Sequence, residues 1–390
     1  MLLNGLGELL AEEVPKAKRF VDLFTGSGSV ASHVAQSNDL PVLAFDLQRY
    51  GMVLAAAVLR RKHRLVWAHT WAAWYKRAKQ LAHQSDFRLR THLTQDEVKR
   101  ARLWCQNLAD APMTKAYGGH YFSPRQTVWL DAFLKTLPAR DPARIVARAA
   151  LVNAASTCAA APGHTAQPFQ PTRTAKKFLE EAWRRDIVRN TKKAFRTIAE
   201  LKSKTRGKAR VLDANIAAAS LKAGDLVFVD PPYSGVHYSR FYHVLESIAR
   251  GYCGEVTGVG RYPAGAERPR SRFSVGSEAQ TAMNELLRLI ANRRARAIVT
   301  FPDHKCSNGL SGKIVGELAE KHFTINHSRV KSRFSTMGGT GDASRDQTQA
   351  SRTARQEAKE LILVLTPKPR PRKKRKSAAV RARNISKRSK

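Results

Sequence analysis

The sequence predicts an α/β protein whose parallel sheet is interrupted by a largely helical insertion and followed by a basic tail, and three observations lead to this fold class. Short apolar segments alternate with amphipathic ones near the start of the chain and again after residue 210, as in repeated βαβ units. Between them, residues 51–209 show helical spacing of apolar side chains. After Pro367 the chain is rich in Pro, Lys, Arg and Ser, and we expect it to be disordered because it has little to bury.

The first βαβ unit covers residues 20–46. "RFVDLF" and "PVLAFD" are short and apolar like buried strands, "TGSGS" is a glycine turn, and "VASHVAQ" begins a helix. Gly26 and Gly28 lie between a strand and a helix, where the absence of Cβ lets a ligand approach the backbone, although a tight turn without a ligand is the alternative. Asp46 ends the next strand, where it would either accept hydrogen bonds from the two hydroxyls of a ribose or face water.

The insertion consists of long stretches rich in Ala, Leu, Lys and Arg, such as "DAFLKTLPARDPARIVARAALVNAAS" and "TAKKFLEEAWRRDIVRNTKKAFRTIAELKSK". Their apolar spacing predicts helices, with aromatic side chains scattered among the bases. One break, "APGHTAQPFQPT" at residues 161–172, is rich in Pro and Gly and predicts an ordered loop. His164 in this loop would either contact nucleic acid or be an ordinary loop histidine.

The α/β pattern resumes with the strands "ARVLDA" and "DLVFVD", the helices "HVLESIAR" and "AQTAMNELLRLIANRR", and the strands "ARAIVTFP", "FTINHSRV" and "KELILVLTP". The stretch "VFVDPPYSG" ends a buried strand with an acid, two prolines and a tyrosine. Because proline has no N–H for the ladder, the strand must stop at Asp230, and the backbone that follows is stiff. The pattern predicts a carboxylate held rigidly beside the Tyr233 ring, against the alternative of a plain strand-ending turn.

The charge balance indicates a polyanionic partner. The chain has 69 Lys and Arg against 31 Asp and Glu, a formal net charge of +38. Residues 368–390 contain 12 Lys and Arg and no Asp or Glu. Without this segment the rest of the chain would still have a formal net charge of +26. Such an excess is typical of nucleic-acid binding, and a basic surface without a ligand is the alternative.

Cysteine spacing and hydropathy exclude several classes of protein. The four cysteines lie far apart without a CxxC pair, which argues against a disulfide framework or a structural zinc site. No apolar run approaches the roughly 20 residues of a membrane span, and the first residues do not resemble a signal peptide. We therefore expect a soluble intracellular protein, and the histidines and cysteines show no metal-ligand spacing.

Two motifs taken together resemble a known family. "DLFTGSG", followed far downstream by "DPPY", resembles the S-adenosylmethionine-dependent amino-methyltransferases of DNA, in the group that includes the bacterial Dam methylase. The family's FxGxG motif is matched by Phe24, Gly26 and Gly28, and its (D/N/S)PP(Y/F) motif by Asp230, Pro231, Pro232 and Tyr233. Aspartate in the first place of the second motif is characteristic of N6-adenine enzymes.

The resemblance implies a Rossmann-like S-adenosylmethionine-dependent methyltransferase sheet divided by a target-recognition domain. It predicts a cofactor-binding part at 1–50, the helical target-recognition insertion at 51–209, a catalytic part at 210–366 and the disordered basic tail at 367–390. The implied cofactor is S-adenosylmethionine, with no metal. The predicted catalytic residues are Asp230, Pro231, Pro232 and Tyr233, and the predicted cofactor-binding residues are Asp22, Phe24, Gly26, Ser27, Gly28, Asp46 and Asp213.

The chemistry of methyl transfer explains the second motif. An adenine N6 amine is a poor nucleophile because its lone pair is delocalised into the ring. Two fixed acceptors, the Asp230 carboxylate and the Pro231 carbonyl, would aim that lone pair and stabilise the positive charge that develops on nitrogen. The base must be flipped out of the duplex to reach them, and Tyr233 offers a ring face for stacking.

Neighbouring side chains allow two interpretations each. Asp213 would either meet the cofactor's adenine or cap a helix. The aromatic residues after the motif would form pocket walls or pack a helix start; they are Tyr238, Phe241 and Tyr242. His237 would contact the base or be a satisfied loop histidine.

The predicted function is site-specific DNA adenine methylation, and three alternatives stay open. They are an RNA adenine N6-methyltransferase, a catalytically weak DNA-binding homologue, and a nicotinamide dehydrogenase based on the glycine turn alone. The expected partner is double-stranded DNA, with a cognate restriction endonuclease as a further hypothesis and no membrane. We expect a monomer or weak dimer in the cytoplasm, nucleoid-associated in a bacterium.

Overall fold

A seven-stranded sheet organises the protein. The computed structural model describes residues 5–82, 87, 89, 93–333 and 357–369. The strands of the sheet are β1 (Arg19–Asp22), β2 (Val42–Asp46), β3 (Lys208–Val211), β4 (Asp225–Val229), β7 (Arg296–Pro302), β8 (Phe323–Arg333) and β9 (Glu357–Pro367), and a separate hairpin is formed by β5 (Val256–Thr257) and β6 (Tyr262–Pro263). Their order is β3-β2-β1-β4-β7-β9-β8. The first five run parallel, whereas β9 is antiparallel to β7 and β8 is antiparallel to β9.

Helices cover both faces of the sheet. In the first part of the chain they are α1 (Gly7–Glu13), α2 (Ser29–Ser37) and α3 (Arg49–Leu59); in the insertion α4 (Trp67–Ala82), α5 (Gln95–Asn107), α6 (Pro112–Tyr117), α7 (Pro124–Lys135), α8 (Ala143–Cys158), α9 (Lys176–Arg184) and α10 (Ile187–Glu200); and in the last part α11 (Ala214–Ala218), α12 (Tyr238–Phe241), α13 (His243–Arg250), α14 (Ala279–Asn292) and α15 (Gly312–Glu320). Phe20 and Val21, successive residues of β1, belong to different core clusters, so both faces of this strand are buried. This mixed, mostly parallel architecture agrees with the predicted α/β class.

The insertion shares a hydrophobic core with one face of the sheet. Helices α3 and α13 lie against that face, and α8 packs on both of them. Runs of alanine make this close packing feasible, because Ala55, Ala56 and Ala57 of α3 and Ala149 and Ala150 of α8 are fully buried. The other face is covered by α11, α14 and α15. The insertion therefore packs on the sheet through α3. The predicted boundary between residues 50 and 51 falls inside that helix.

The sheet order decides where a ligand would lie. β1 leads outward to β2 on one side and pairs with β4 on the other, so the winding of the sheet reverses between β1 and β4. In open α/β sheets, ligands occupy the crevice at the carboxyl ends of the strands beside such a reversal. The glycine turn follows β1 and "DPPY" follows β4, so topology brings the two motifs together.

Several local elements agree with the sequence and others were not predicted. All seven predicted strands are present, and residues 161–172 form an irregular loop. The hairpin β5–β6 and the helix α15 were not foreseen, whereas α11 is the helix that one interpretation of Asp213 implied. Most of the predicted tail and residues 334–356 lie outside the described residues. Within the described part of the chain, no helix is long and apolar enough to cross a membrane.

Candidate active site

The two motifs line one cleft at the carboxyl edge of the sheet. The cleft has a cavity volume of about 180 Å³. The predicted residues that line it are Phe24, Gly26, Asp46, Asp213, Asp230, Pro231, Pro232 and Tyr233. Three predicted cofactor residues are not among its lining: Asp22, Ser27 and Gly28. Residues that sequence reasoning missed also line it, among them Gln48, Tyr50 and Ser271.

The glycine turn shapes the cleft through its own hydrogen bonds. The Gly26 N–H donates to Asp46 Oδ2 at 2.7 Å, and the Gly28 N–H donates to the Thr25 carbonyl at 2.8 Å. Both glycines have positive φ, 51° and 75°, which other residues adopt at a cost. A Cβ on Gly28 would also lie 3.2 Å from the Ala55 nitrogen. These glycines are therefore required by the turn and by its contact with α3.

Asp46 is held in position with acceptor capacity to spare. Its Oδ1 accepts a hydrogen bond from the Gln48 N–H at 2.8 Å, while Oδ2 accepts that of Gly26. Each carboxylate oxygen has a second lone pair, so Asp46 can still accept two hydroxyl donors. Burial raises its pKa to about 6, and backbone hydrogen bonds from Gln48, Gly26 and Leu47 oppose that rise. This geometry suits the predicted contact with a ribose.

Gly51 of α3 allows the helix to approach this group closely. A Cβ at Gly51 would lie 2.7 Å from the Gly26 carbonyl oxygen and 3.1 Å from Asp46 Cγ. Any larger residue would push on both the turn and the carboxylate. Sequence reasoning did not single out this glycine, because it lies within an ordinary helical pattern.

The structure places Asp22 beneath the turn. It is 1% exposed and accepts a hydrogen bond from the Phe24 N–H at 3.2 Å. Burial raises its pKa well above the ordinary value, and the nearby Asp230 and Asp46 contribute in the same direction. Asp22 supports the turn from below, whereas the exposed Ser27 hydrogen-bonds Ser29 on the outside.

The Asp230 carboxylate is oriented by the neighbouring strand. Thr300 Oγ1 on β7 donates to Asp230 Oδ1 at 2.9 Å, and Thr300 is fully buried. β7 pairs with β4, which brings a residue 70 positions away next to the strand end. The bond fixes one carboxylate oxygen and directs the carboxylate as a whole into the cleft that Asp230 lines.

The loop after β7 clamps the segment that follows Asp230. Asn308 Nδ2 donates to the Pro232 carbonyl at 2.9 Å and to the Phe273 carbonyl at 3.0 Å, and Asn308 is 1% exposed. The Gly235 N–H donates to Ser307 Oγ at 2.9 Å. No donor among the described residues reaches the Pro231 carbonyl, which stays available to a ligand. The polar run "DHKCSNG", directly after a buried strand, is the sequence signal that could have revealed this clamp.

The aromatic residues after the motif were predicted either to form pocket walls or to pack a helix start, and the structure shows both arrangements. Tyr238 lines the cleft, and its ring lies edge-on to Tyr233 with centroids 6.3 Å apart. Phe241 instead packs against His164 of the insertion loop at 5.1 Å, and Tyr242 packs against Tyr50 at 5.3 Å. Tyr238 is therefore a cleft wall, whereas the other two support the helix start. Burial lowers the pKa of His164 and of His237, which favours their neutral forms.

Asp213 caps a helix and also lines the cleft. Its carboxylate caps α11 by accepting hydrogen bonds from the Asn215 N–H at 2.8 Å and the Ile216 N–H at 3.3 Å. It also lines the cleft, together with Leu212 and Ala214. A capping carboxylate retains lone pairs that a ligand can use.

The cleft is acidic although the protein is strongly basic. Its lining includes three carboxylates, those of Asp46, Asp213 and Asp230. Among the described residues that line it there is no lysine or arginine. In a chain of net charge +38, this local excess of acid favours a cationic ligand.

Comparison with known proteins gives one family match for the chain. The family model of the D12 class N6 adenine-specific DNA methyltransferases matches residues 2–291 of the chain. The chain belongs to this family. The match extends over both motifs and the whole insertion, and it ends within α14, before Thr300 and the clamp loop of this D12-class protein. No curated protein matches the chain.

Proposed function

We propose that this protein transfers a methyl group from S-adenosylmethionine to the N6 amine of a flipped adenine at a specific site in double-stranded DNA. One observation carries the proposal: the carboxylate of "DPPY" and the glycine turn share a single acidic cleft. Membership of the D12 class supports DNA adenine methylation. The donor, the residue roles and the domain division are part of this proposal.

The residues of the cleft fit S-adenosylmethionine. Three carboxylates without a basic residue suit a ligand that carries a sulfonium and an ammonium group. They oppose a nicotinamide dinucleotide, whose pyrophosphate is doubly negative. Buried acceptors also lack a protein partner among the described residues: Gln48 Oε1 and Ser271 Oγ both belong to cleft-lining residues. Asp46 would hold the ribose hydroxyls, and Asp213 would face the adenine.

Asp230 and the Pro231 carbonyl would orient the substrate amine. When bound, the cofactor supplies an electrophilic methyl group on sulfur. The two acceptors would accept hydrogen bonds from the two N–H groups of the amine. Its lone pair would then be directed out of the ring plane. Positive charge would develop on nitrogen as the N–C bond forms and the sulfur–methyl bond of the cofactor breaks, and the carboxylate would stabilise that charge more strongly than it stabilises the neutral amine. The methylated amine would then release its extra proton to solvent. Thr300 and the clamp loop prepare this geometry before the base arrives.

The flipped base would stack on Tyr233 and Tyr238. Their rings meet edge to face at the side of the cleft beside Asp230. Flipping costs a few kcal/mol, which stacking on an aromatic wall and two hydrogen bonds to the amine are of the right size to offset.

We propose that the insertion selects the DNA sequence. The loop at residues 161–172 is hydrogen-bonded to the segment that follows "DPPY", because the Thr165 hydroxyl donates to the Phe241 carbonyl at 2.8 Å. Tyr121 of the insertion donates to the Thr165 carbonyl at 2.6 Å and to the Gly260 carbonyl at 2.9 Å. A recognition element fixed to the segment after "DPPY" would place the reading surface beside the flipped base.

Methylation of matched DNA and RNA duplexes with labelled cofactor tests the proposed function. We expect transfer to adenine in DNA, with Asp230→Ala slowed by about 100- to 1,000-fold at saturating cofactor and DNA, because one preorganised group is lost. Asp230→Asn keeps one acceptor oxygen and should be impaired less. Equal transfer to RNA would favour the RNA alternative, and wild-type rates in Asp230→Ala would refute the assignment of the motif.

Sequencing modified adenines in the DNA of a methylase-deficient host that expresses the chain would give the recognised site. A role in a restriction–modification pair is a further proposal, and its only support is that the proposed reaction is site-specific methylation of DNA adenine. It predicts that the methylated host DNA resists an endonuclease that cleaves at the same DNA sequence. Cleavage at methylated sites would contradict it.

A further inference from the structure

A basic groove lies along α10 of the insertion, and none of its lining residues lines the cleft. It is lined by six cationic side chains, those of Arg184, Arg185, Arg189, Lys192, Lys193 and Arg196, together with Trp67. Four of the cations follow one stripe of α10, because residues 189, 192, 193 and 196 are spaced by three, four and seven positions. All four are exposed. The groove therefore presents one continuous line of positive charge.

The two acidic residues that line the groove, Asp186 and Glu200, already have partners within the protein. Asp186 caps α10 by accepting hydrogen bonds from the Val188 N–H at 2.9 Å and the Arg189 N–H at 3.0 Å. Glu200 is 3.5 Å from Arg64 in an ion pair. Arg189, Lys192, Lys193 and Arg196 form no ion pair with a residue that the structure describes. Like charges three and four positions apart destabilise a helix, so this stripe lowers helix stability unless an anion meets it.

The groove extends away from the catalytic edge of the sheet. At its far end the Arg61 guanidinium donates to the Ala199 carbonyl at 3.0 Å, which ties the end of α10 to the end of α3. α3 begins next to Asp46 and has 11 residues, so its end lies about 16 Å from the cleft along the helix axis. The stripe itself covers about 10 Å of α10, a length that matches roughly three phosphates of one DNA strand.

We propose that this groove binds the phosphate backbone of duplex DNA flanking the methylated site. Phosphates are the anion that an extended line of exposed cations suits, and such contacts position a duplex without reading its sequence. Trp67 closes one end of the groove, with the Arg196 guanidinium 5.7 Å from its ring centroid. This contact holds Arg196 in the groove while leaving its charge available. The inference rests on the proposed function only in taking DNA as the polyanion.

The test compares two double variants that remove the same charge. Lys192→Gln with Lys193→Gln changes the groove. Lys76→Gln with Lys79→Gln changes two exposed lysines of α4 that do not line it. Binding of a duplex that contains the target site is measured by fluorescence anisotropy over a range of salt concentrations, without cofactor. Because all four side chains are exposed, both variants should fold, which circular dichroism checks.

The groove variant should lower the salt slope of log K by about 2 and weaken binding at about 0.1 M salt by tenfold or more, since each phosphate contact contributes about 0.9 to the slope. The α4 variant should lose less than half as much. The rate of methylation at saturating DNA and the methylated sequence should stay unchanged in both. Equal losses in the two variants, or no loss in the groove variant, would overturn the proposal. Because binding is measured directly, a wild-type protein that binds in this way but methylates no DNA would refute the proposed function and leave this inference standing.

Discussion

Replacing Thr300 by valine isolates the hydrogen bond that orients Asp230. Thr300 Oγ1 donates to Asp230 Oδ1 at 2.9 Å from a fully buried position on β7. Valine has the same shape and suits a strand, so Thr300→Val should leave the sheet intact. The carboxylate then loses the hydrogen bond that fixes Oδ1, so its orientation in the cleft is less restricted.

The expected effect follows from the strength of that bond. A hydrogen bond to a charged group contributes about 1.5–3 kcal/mol, and Asp230 is half-buried, which favours the lower end of this range. A loss of about 1.5–2 kcal/mol in the transition state corresponds to a kcat reduced by about 10- to 30-fold. Cofactor affinity should change little, because Thr300 does not line the cleft.

Single-turnover methylation at saturating DNA and cofactor measures this effect. Thr300→Ser is the matched control, since it retains the hydroxyl and should keep most of the wild-type rate. Calorimetry with the cofactor checks that the cleft is intact. A Thr300→Val protein that methylates at the wild-type rate, or a Thr300→Ser protein that is as slow as Thr300→Val, would refute the positioning role.

The other predictions concern Gly51, Asp46 and the basic tail. Gly51→Ala should weaken cofactor binding about tenfold or more, because its Cβ would lie 2.7 Å from the Gly26 carbonyl oxygen, whereas Gly316→Ala in α15 has no atom within 4 Å and should bind normally. Burial raises the pKa of Asp46 to about 6, so cofactor affinity measured by calorimetry should rise with pH through that value, by up to about tenfold per pH unit below it. This dependence should vanish in Asp46→Asn. The same raised pKa makes the folded protein retain a proton that the unfolded chain has lost, so this group lowers stability as pH rises from 3.8 to about 6. Truncation after Pro367 should weaken DNA binding at low salt and flatten its salt dependence without changing the methylated sequence, and a changed target would contradict that role.

The local pattern of the chain was sufficient for the strands, the glycine turn and the position of Asp230. Strand and helix periods are properties of neighbouring residues, and two prolines stop a strand wherever it lies. The family resemblance likewise depended on short motifs, and the family match agrees with it. The order of strands at the carboxyl edge then placed both motifs in one cleft.

The tertiary structure alone decided which acids line the cleft and what holds them. Asp22 and Asp46 both end apolar strands in the sequence, yet only Asp46 lines the cleft, because Asp22 is covered by the turn. Thr300 lies 70 residues from Asp230, and their contact exists because β7 pairs with β4. Strand pairing and burial are relations between distant parts of the chain, so no local pattern of residues contains them.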